Sequence, residues 1–461
     1  MININNRDKI NIRDKKLTVL GLGLSGTASA ILANHIGAKV FGSDSSAENN
    51  ILSNSWELMH KYHIATETGL HSDQIYDSDL WVISPGIAKN SALIQKAKKQ
   101  NIPIVSEIEF ASWFTKSPIV AITGSNGKTT TSHILAEMSS SKKINGIMAG
   151  NMGIPFSNCI LNELLNPDKK RIYILEVSSF QMEFIKHFSP HIALYTNISE
   201  DHLDRHGSFK EYFNMKLKMI QNIKTNGSIV YNAADSKLHS TFKKYNQDGK
   251  IYCFNAPGSL FNVNGDSIRN TEETINFSVK NLSLPGKHNI SNFLSAASCA
   301  SLIGVEKNKI VKVFKTFKGV EHRLENVLSF NNVQYINDSK ATNIDSVIVA
   351  IKTFTKPKIL ILGGYNKNAD FRLLLPHIKS SHVRLIISYG EAGGQINTVL
   401  GDAVRSLLFN DLSSAVNQAQ KLAKPGEIIL FSPGCASFDQ FKNFEDRGKY
   451  FKSLVKKYHN D

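Results

Sequence analysis

The chain has 461 residues, of which 41% are hydrophobic and 20% are charged, a composition typical of folded globular proteins rather than disordered ones. This length exceeds what one hydrophobic core serves, so several domains are expected. The formal net charge of +15 is spread along the chain, which favours a solvated basic surface and anionic small-molecule substrates over nucleic-acid binding.

The sequence also limits the compartment in which the protein works. The N-terminal residues are polar and unlike a secretory signal, and no apolar run is long enough for a membrane span. The four cysteines are scattered and include no C-x-x-C pair. This spacing argues against a disulfide framework or a zinc site and favours a reducing cytoplasm. We therefore expect a cytoplasmic protein.

The first α/β pattern lies near the N-terminus. Strand Leu17–Leu20 leads into Gly21-Leu-Gly-Leu-Ser-Gly26 and a helix, and a second strand leads to Asp44. This arrangement matches the G-x-G-x-x-G fingerprint, in which glycines let a phosphate approach the backbone and the acid binds a sugar or base. A later strand ends at Ser84 before Pro85-Gly86. An NAD-dependent oxidoreductase is one interpretation of this block.

The second block opens with the most informative stretch of the chain. Strand Pro118–Thr123 is followed by Gly124-Ser-Asn-Gly-Lys-Thr-Thr130 and a helix. Backbone N–H groups in such a loop surround phosphate oxygens, Lys128 adds positive charge, and Thr129 offers a hydroxyl to Mg²⁺. Ile122 stands where a strict P-loop has glycine. The motif is therefore a shortened phosphate loop that predicts a nucleotide site.

Polar residues follow the neighbouring strands of this block. Glu176 ends an apolar strand, where a carboxylate beside a phosphate loop is well placed to hold Mg²⁺. His202 follows another strand and lies among several acids. Lys216 lies on the next predicted helix and, taken alone, indicates a surface position. The polar stretch Asn255–Glu273 is expected to be a surface excursion.

The third block again alternates strands and helices, which predicts another mostly parallel sheet. Asp338 and Lys340 flank a serine after one strand, and Arg323 with Lys340 is suited to neutralise a transferred phosphate. Lys367 follows another strand, where its cation is suited to meet a substrate carboxylate. The predicted domains are residues 1–110, 111–319 and 320–461.

Together these motifs resemble the Mur ligase family of peptidoglycan synthesis, and most of all its D-glutamate-adding branch. The resemblance covers nearly the whole chain and is carried by Gly124–Thr130, Glu176–Gln181, Glu200–Asp204, Gly286–Asn292, Asn337–Asn343 and Ser437–Phe444. It implies an α/β protein with a Rossmann-like N-terminal domain for a UDP substrate, a central P-loop-type ATPase domain and a Rossmann-like C-terminal domain for the amino acid. It also implies that ATP phosphorylates UDP-N-acetylmuramoyl-L-alanine and that D-glutamate attacks the acyl phosphate.

The resemblance further implies roles for individual residues. The implied ATP contacts are Gly124, Ser125, Asn126, Gly127, Lys128, Thr129, Thr130, Asn292, Arg323 and Asp338. The implied contacts to the UDP substrate are Leu24, Ser25, Asp44, Ser45, Ser84, Gly86 and Asn151, and those to D-glutamate are Thr342, Lys367, Ser437, Asn443 and Phe444. The implied Mg²⁺ ligands are Thr129, Glu176, His202 and a carbamylated Lys216. The implied catalytic residues are Lys128, Glu176, His202, Lys216 and Lys340.

Other interpretations stay open. Another amide ligase of the same fold, such as a folylpolyglutamate synthetase, would share the ATP site and differ in its substrates. A nucleotide-binding regulatory module without turnover is disfavoured because Lys128, Glu176, His202 and Lys216 are all present. We expect the protein to act as a monomer.

Overall fold

The structure is a computed structural model that describes residues 2–46, 53–141, 144–223, 226–245, 250–366 and 369–460. Its internal contacts divide the chain into two compact units. The first consists of Met1–Ser283 and His288–Phe317, and the second consists of Leu284–Lys287 and Lys318–Asp461. The boundaries of the three predicted domains stay a prediction.

The first unit begins with a five-stranded parallel sheet in the order β3-β2-β1-β4-β5. Its strands are β1 (Lys16–Leu20), β2 (Lys39–Asp44), β3 (Ala65–Thr68), β4 (Leu80–Ile83) and β5 (Ile104–Ser106). The accompanying helices are α1 (Leu24–Ile36), α2 (Ser53–Lys61), α3 (Ala92–Lys99) and α4 (Glu107–Ser112). The strand order reverses between β1 and β4, which creates the crevice where such sheets bind ligands.

A six-stranded parallel sheet follows in the order β11-β10-β9-β6-β8-β7. Its strands are β6 (Ile119–Thr123), β7 (Gly146–Gly150), β8 (Ile172–Glu176), β9 (Ile192–Tyr195), β10 (Ser228–Asn232) and β11 (Lys250–Phe254). The associated helices are α5 (Lys128–Ser139), α6 (Phe156–Leu165), α7 (Leu203–His206), α8 (Phe209–Leu217), α9 (Ser236–Lys243), α10 (Lys287–Leu302) and α11 (Lys307–Thr316). Because β6 lies between β8 and β9, the loops after these three strands meet at one edge.

The polar stretch Asn255–Glu273, expected to be a surface excursion, includes two short strands. These are β12 (Phe261–Asn264) and β13 (Ser267–Asn270), which form a small antiparallel sheet with β14 (Asn276–Ser278). Phe261, Ile268 and Phe277 are buried, whereas most of their neighbours are polar. With so few buried apolar positions per strand, the period-two pattern is too short to predict a sheet.

The second unit contains a six-stranded sheet in the order β15-β16-β20-β17-β18-β19, in which only the β15–β16 pair is antiparallel. Its strands are β15 (Glu325–Phe330), β16 (Val333–Asn337), β17 (Lys358–Gly363), β18 (Val383–Tyr389), β19 (Ser406–Phe409) and β20 (Ile428–Gly434). Its helices are α12 (Ile344–Thr353), α13 (Leu375–Ser380), α14 (Gly393–Leu400), α15 (Leu412–Leu422) and α16 (Phe444–Asn460). The predicted α/β class with mostly parallel sheets is confirmed.

The interior of both units follows from these parallel sheets. Strands covered by helices on both faces are rich in apolar side chains, and every residue of β6 and of β17 is buried. Within the residues that the structure describes, none of the helices combines the length and apolar character needed to cross a membrane.

Candidate active site

The phosphate loop joins β6 to α5 through two glycines that the backbone requires. Gly124 has φ 149° and Gly127 has φ 85°, conformations that other residues rarely adopt. A Cβ atom at Gly124 would lie 2.0 Å from Thr196 Oγ1, and one at Gly127 would lie 2.4 Å from Asn292 Oδ1. The loop backbone therefore lies directly against Asn292, one of the predicted ATP contacts.

The loop after β9 holds the phosphate loop in place. Asn126 N donates to Asn197 Oδ1 at 2.9 Å. Ser125 Oγ donates to Ser199 O at 2.9 Å and lies 3.0 Å from the Tyr212 hydroxyl. The two loops are thus fixed as one structure. Tyr212 was missed by sequence reasoning, because an aromatic residue on a helix gives no signal beyond core packing.

Lys128 folds back onto the phosphate loop through hydrogen bonds to two of its carbonyl groups. It is half-buried, and its Nζ donates to Gly124 O and Ser125 O at 2.8 Å each. Thr129 and Thr130 are buried in the first turn of α5. The ammonium group and the helix N-terminus both favour an anion at this loop.

Glu176 presents a carboxylate at the end of β8 with one oxygen that lacks a hydrogen-bond partner among the described residues. Its side chain is buried, and Oε1 accepts a hydrogen bond from Asn151 Nδ2 at 3.1 Å. Oε2 is buried and has no hydrogen-bond partner among the described residues. Because a buried carboxylate oxygen without a partner is costly, this oxygen is suited to a cation. The structure also brings Asn151, a predicted substrate contact, to Glu176.

Lys216 belongs to this site and is not a surface residue. It is only 2% exposed, and its Nζ donates to Gly124 O at 3.0 Å. Burial lowers the pKa of Lys216 well below its ordinary value, and the charge of Lys128 lowers it further. Asp201 and Glu176 oppose this shift. Such a lowered pKa is unusual for lysine and typical of functional sites.

His202 lies at the start of α7 in a backbone conformation that is uncommon for residues other than glycine, with φ 52°. Its Nε2 lies 3.6 Å from Asp201 Oδ2, and its ring centroid lies 4.7 Å from that of Phe180. The side chain is 47% exposed. This partly exposed imidazole is packed at one edge and retains a surface that a ligand can reach.

His206, one turn further along, was missed by sequence reasoning. It is buried, its Nε2 lies 2.9 Å from Ser179 Oγ, and its ring stacks on Phe180. Burial lowers the pKa of His206. His206 thus supports Phe180 by stacking, and Phe180 in turn packs against His202.

The loops after β1, β2 and β4 meet at the edge of the first sheet. Asp44 Oδ2 accepts from Leu22 N at 2.6 Å, and Asp44 Oδ1 accepts from Ser46 N at 2.8 Å. Ser84 Oγ donates to Gly21 O at 3.1 Å. The predicted substrate contacts at this edge are Leu24, Ser25, Asp44, Ser45, Ser84 and Gly86.

In the second unit, Asp338 is the centre of a buried polar group. Its Oδ2 accepts from Ser432 Oγ at 2.8 Å, and its Oδ1 accepts from Leu324 N at 3.2 Å. Burial raises the pKa of Asp338 to about 7, and the positive charge of Arg323 opposes the shift. Arg323 and Asp338, both predicted ATP contacts, therefore interact electrostatically.

Lys340 and Thr342, a predicted D-glutamate contact, lie in the loop between β16 and α12. Lys340 Nζ lies 5.4 Å from the Phe444 ring centroid. Ser437 is buried, whereas Thr342 is exposed. Asn443 Oδ1 accepts from Asp446 N at 2.6 Å, so this side chain caps the first turn of α16. Lys367 lies outside the described residues.

Arg447 organises this loop and was missed by sequence reasoning. Its guanidinium is fully buried and donates to Ser339 Oγ at 3.0 Å and to Ser339 O at 2.8 Å. It also donates to Cys435 O and Ala436 O at 3.0 Å each. One side chain on α16 thereby joins the loop after β16 to the loop after β20.

A separate cluster of Glu321, His322 and Glu325 has ligand atoms within 4.8 Å of one another. Lys452 Nζ already donates to both carboxylates, at 3.0 Å to Glu325. The lysine supplies the compensating charge, and we assign this cluster a structural role.

Comparison with known proteins agrees with this geometry. The MurD-like N-terminal domain of Mur ligases matches residues 15–106, the Mur ligase middle domain matches residues 122–300, and the Mur ligase glutamate ligase domain matches residues 322–435. The chain belongs to the Mur ligase family.

Its relatives narrow the family to one kind of ligase. The UDP-N-acetylmuramoylalanine–D-glutamate ligase of Christiangramia forsetii is 36% identical, over 96% of this chain and 99% of the relative. The ligase of the same name from Bacteroides thetaiotaomicron is 37% identical with the same coverage of 96% and 99%.

Two solved structures share the fold at low identity. The UDP-N-acetylmuramate–alanine ligase MurC of Thermotoga maritima has a TM-score of 0.60 at 20% identity, over 97% of this chain and 99% of its own. The MurF ligase of Thermotoga maritima in complex with ADP has a TM-score of 0.60 at 15% identity, over 99% of this chain and 98% of its own.

Proposed function

We propose that this protein is an ATP-dependent ligase that joins D-glutamate to UDP-N-acetylmuramoyl-L-alanine in peptidoglycan precursor synthesis. The observation that carries the ligase chemistry is the meeting of Lys128, Glu176 and Lys216 beside one phosphate loop. The names of the full-length relatives support the choice of substrates.

The residues present suit a two-step reaction. The substrate carboxylate oxygen bonds to the γ-phosphorus of ATP as the bond to ADP breaks, which gives an acyl phosphate. The amine of D-glutamate then bonds to the acyl carbon, inorganic phosphate leaves and the amine nitrogen loses a proton. Such phosphoryl transfer depends on alignment and charge neutralisation. Lys128 and the loop N–H groups supply both at the nucleotide, and we assign Lys340 and Arg323 the same task.

A magnesium ion fits the first unit because Glu176 Oε2 is buried without a partner among the described residues. We propose that Thr129, Glu176 and His202 hold the ion. Thr129 and Glu176 would supply the oxygen ligands that a hard cation prefers, and the partly exposed imidazole of His202 would complete the set. When bound, such an ion neutralises charge on the phosphate oxygens.

We further propose that Lys216 carries a carbamate. Because burial lowers the pKa of Lys216, the neutral form of the amine is more accessible than in an exposed lysine, and this form is able to attack CO₂, forming an N–C bond and releasing one proton to water. The product is an anion with two oxygens, which a cation beside Glu176 and the charge of Lys128 would compensate. Incubation with ¹³C-bicarbonate should give a carbamate carbon signal in the wild-type protein and none in Lys216→Met. Equal signals in the two proteins would contradict this assignment.

Phosphate release tests the overall function. The purified protein is supplied with ATP, Mg²⁺ and UDP-N-acetylmuramoyl-L-alanine, with or without D-glutamate. We expect release that depends on D-glutamate and is absent with L-glutamate, meso-diaminopimelate or L-lysine. Release with a different acceptor would point to another amide ligase, and no release under any condition would favour a binding module.

The cysteines bear on the compartment. Cys159, Cys253, Cys299 and Cys435 are all free thiols. This supports our proposal that the protein works in a reducing cytoplasm.

A further inference from the structure

Arg205 connects two loops of the first unit. Its guanidinium forms a bidentate ion pair with Glu183, with Nε–Oε1 3.0 Å and Nη2–Oε2 2.8 Å. The same group donates to the backbone carbonyls of Pro85 and Gly86 at 3.3 Å each and of Ile87 at 2.8 Å. One side chain from α7 therefore holds three consecutive carbonyl groups of the loop that follows β4.

The environment of Arg205 makes this connection rigid. The Arg205 side chain is 16% exposed and that of Glu183 is 1% exposed. The guanidinium also lies over the Phe180 ring, 5.1 Å from its centroid. A planar guanidinium binds a carboxylate in a rigid bidentate fork while it donates to carbonyls and stacks on an aromatic face, whereas an ammonium group is a point charge without this fork. Buried ion pairs add little net stability, so the value of this one lies in the arrangement that it fixes.

Both ends of the connection lead to predicted site residues. The held loop contains Gly86 and directly follows Ser84, both predicted to contact the muramoyl substrate. At the other end of the connection, the backbone N–H of Arg205 donates to His202 O at 3.2 Å. Arg205 therefore lies in the short helix α7 that His202 begins. Arg205 thus joins the substrate loop to the turn that carries the predicted metal ligand.

We propose that Arg205 is a positioning residue for the ligation, which sets the distance between the loop holding the UDP-muramoyl substrate and the turn carrying His202. This role rests on the proposed function. Transfer needs the attacking carboxylate oxygen about 3–3.5 Å from phosphorus, and a misplacement of about 1 Å costs roughly 10²-fold in rate. Phe180 and Glu183 hold the guanidinium in place from the other side.

The test compares Arg205→Lys with a matched control, Arg384→Lys in the second unit. Arg384 also pairs bidentately with a glutamate, Glu427, at 2.6 and 2.8 Å, and donates to Leu422 O at 2.9 Å. We expect Arg205→Lys to lower kcat by about 30–100-fold with the KM for ATP unchanged. Arg384→Lys should keep the wild-type kcat, and both variants should show similar losses of thermal stability.

The wild-type assay is read first. If the wild-type protein releases no phosphate in response to D-glutamate, the proposed function fails and the positioning role fails with it. If the wild type is active, a kcat of Arg205→Lys within about threefold of wild type, or an equal loss in Arg384→Lys, overturns the role of Arg205 alone.

A second variant covers the case in which Arg205→Lys does not fold. Glu183→Gln leaves the guanidinium in place but weakens its anchor, so kcat should fall in the same direction by a smaller factor, with the KM for ATP again unchanged. An unaltered kcat in a folded Glu183→Gln protein would contradict the proposal.

Discussion

Lys216 and Lys358 are both buried, but their surroundings differ. Lys216 lies at the carboxyl edge of its sheet, where Asp201 and Glu176 act on its charge. Lys358 begins β17 at the amino edge of the other sheet, donates to Ser381 O, and has a pKa lowered to about 8 by burial alone. Burial by itself therefore does not mark a functional lysine. The sheet edge and the neighbouring acids do.

Replacement of each lysine by methionine should give the largest difference in activity between the two sites. Lys216→Met is expected to lower D-glutamate-dependent phosphate release by about 10³-fold, because the site loses its nucleophilic amine or the carbamate built on it. Its fold should survive, since Gly124 O keeps a hydrogen bond from Lys128 Nζ. Lys358→Met serves as the control and should retain wild-type release. Similar activity losses in the two variants would show that Lys216 acts through the fold.

Arg447 extends the comparison to the second unit, where the buried guanidinium donates four hydrogen bonds. Arg447→Met removes four hydrogen bonds and leaves buried carbonyls without this donor, so we expect the free energy of unfolding to fall by about 3 kcal/mol. Urea denaturation followed by circular dichroism measures the change. Arg372→Met is the control, because Arg372 pairs with Asp370 at the surface and should show no change. An equally small effect at Arg447 would contradict the organising role.

Two buried glutamates extend the comparison to carboxylates. Glu109 accepts from Trp113 Nε1 and from the backbone N–H groups of Lys186, His187 and Phe188, whereas Glu176 has an oxygen without a partner among the described residues. Without Mg²⁺, Glu176→Gln should raise the thermal midpoint and Glu109→Gln should lower it.

Adding Mg²⁺ to the same proteins separates metal binding from packing. The ion should raise the midpoint of the wild-type and Glu109→Gln proteins, and it should have little effect on Glu176→Gln, because binding to the folded state alone stabilises it. The same Mg²⁺ response in all three proteins would exclude Glu176 as a ligand.

The sequence allowed prediction of those parts of the fold and site that depend on local patterns. The buried strand Ile119–Thr123 is a continuous apolar run, and the phosphate loop follows it with its glycines and Lys128 in fixed order. Glu176 is likewise marked by its place at a strand end. Each of these features can be recognised within a few residues of sequence, and together they predict the α/β class.

Other residues could not be assigned from the sequence because their partners are distant. Arg447 reaches Ser339, which is 108 residues away, and Arg205 reaches Ile87, which is 118 residues away. On a helix either arginine looks like an ordinary solvated charge. Lys216 was assigned by resemblance alone, since its burial depends on how α8 packs on the phosphate loop.

Asp338 gives the smallest expected effect and the finest test of the contrast between the two units. Its folded-state pKa is raised from 3.8 to about 7, so between these values the folded protein holds a proton that the unfolded chain has released. The wild type should therefore lose stability as pH rises from about 4 to about 7, with a slope of at most about 1.4 kcal/mol per pH unit.

Asp338→Asn has no carboxyl group to titrate and should lack the slope. The free energy of unfolding of this variant should therefore increase relative to that of the wild type as the pH rises. Denaturation at several pH values measures the difference. Ser432→Ala sharpens the test. The hydrogen bond from the Ser432 hydroxyl lowers the pKa of Asp338, so its removal should raise that pKa and extend the loss of stability to higher pH. Parallel curves for the wild type and Asp338→Asn would mean that Asp338 is ionised in the folded protein. Its charge would then be compensated by Arg323 and Arg447. The contrast would be with Glu176, whose Oε2 has no hydrogen-bond partner among the described residues, and it would be one of charge compensation alone.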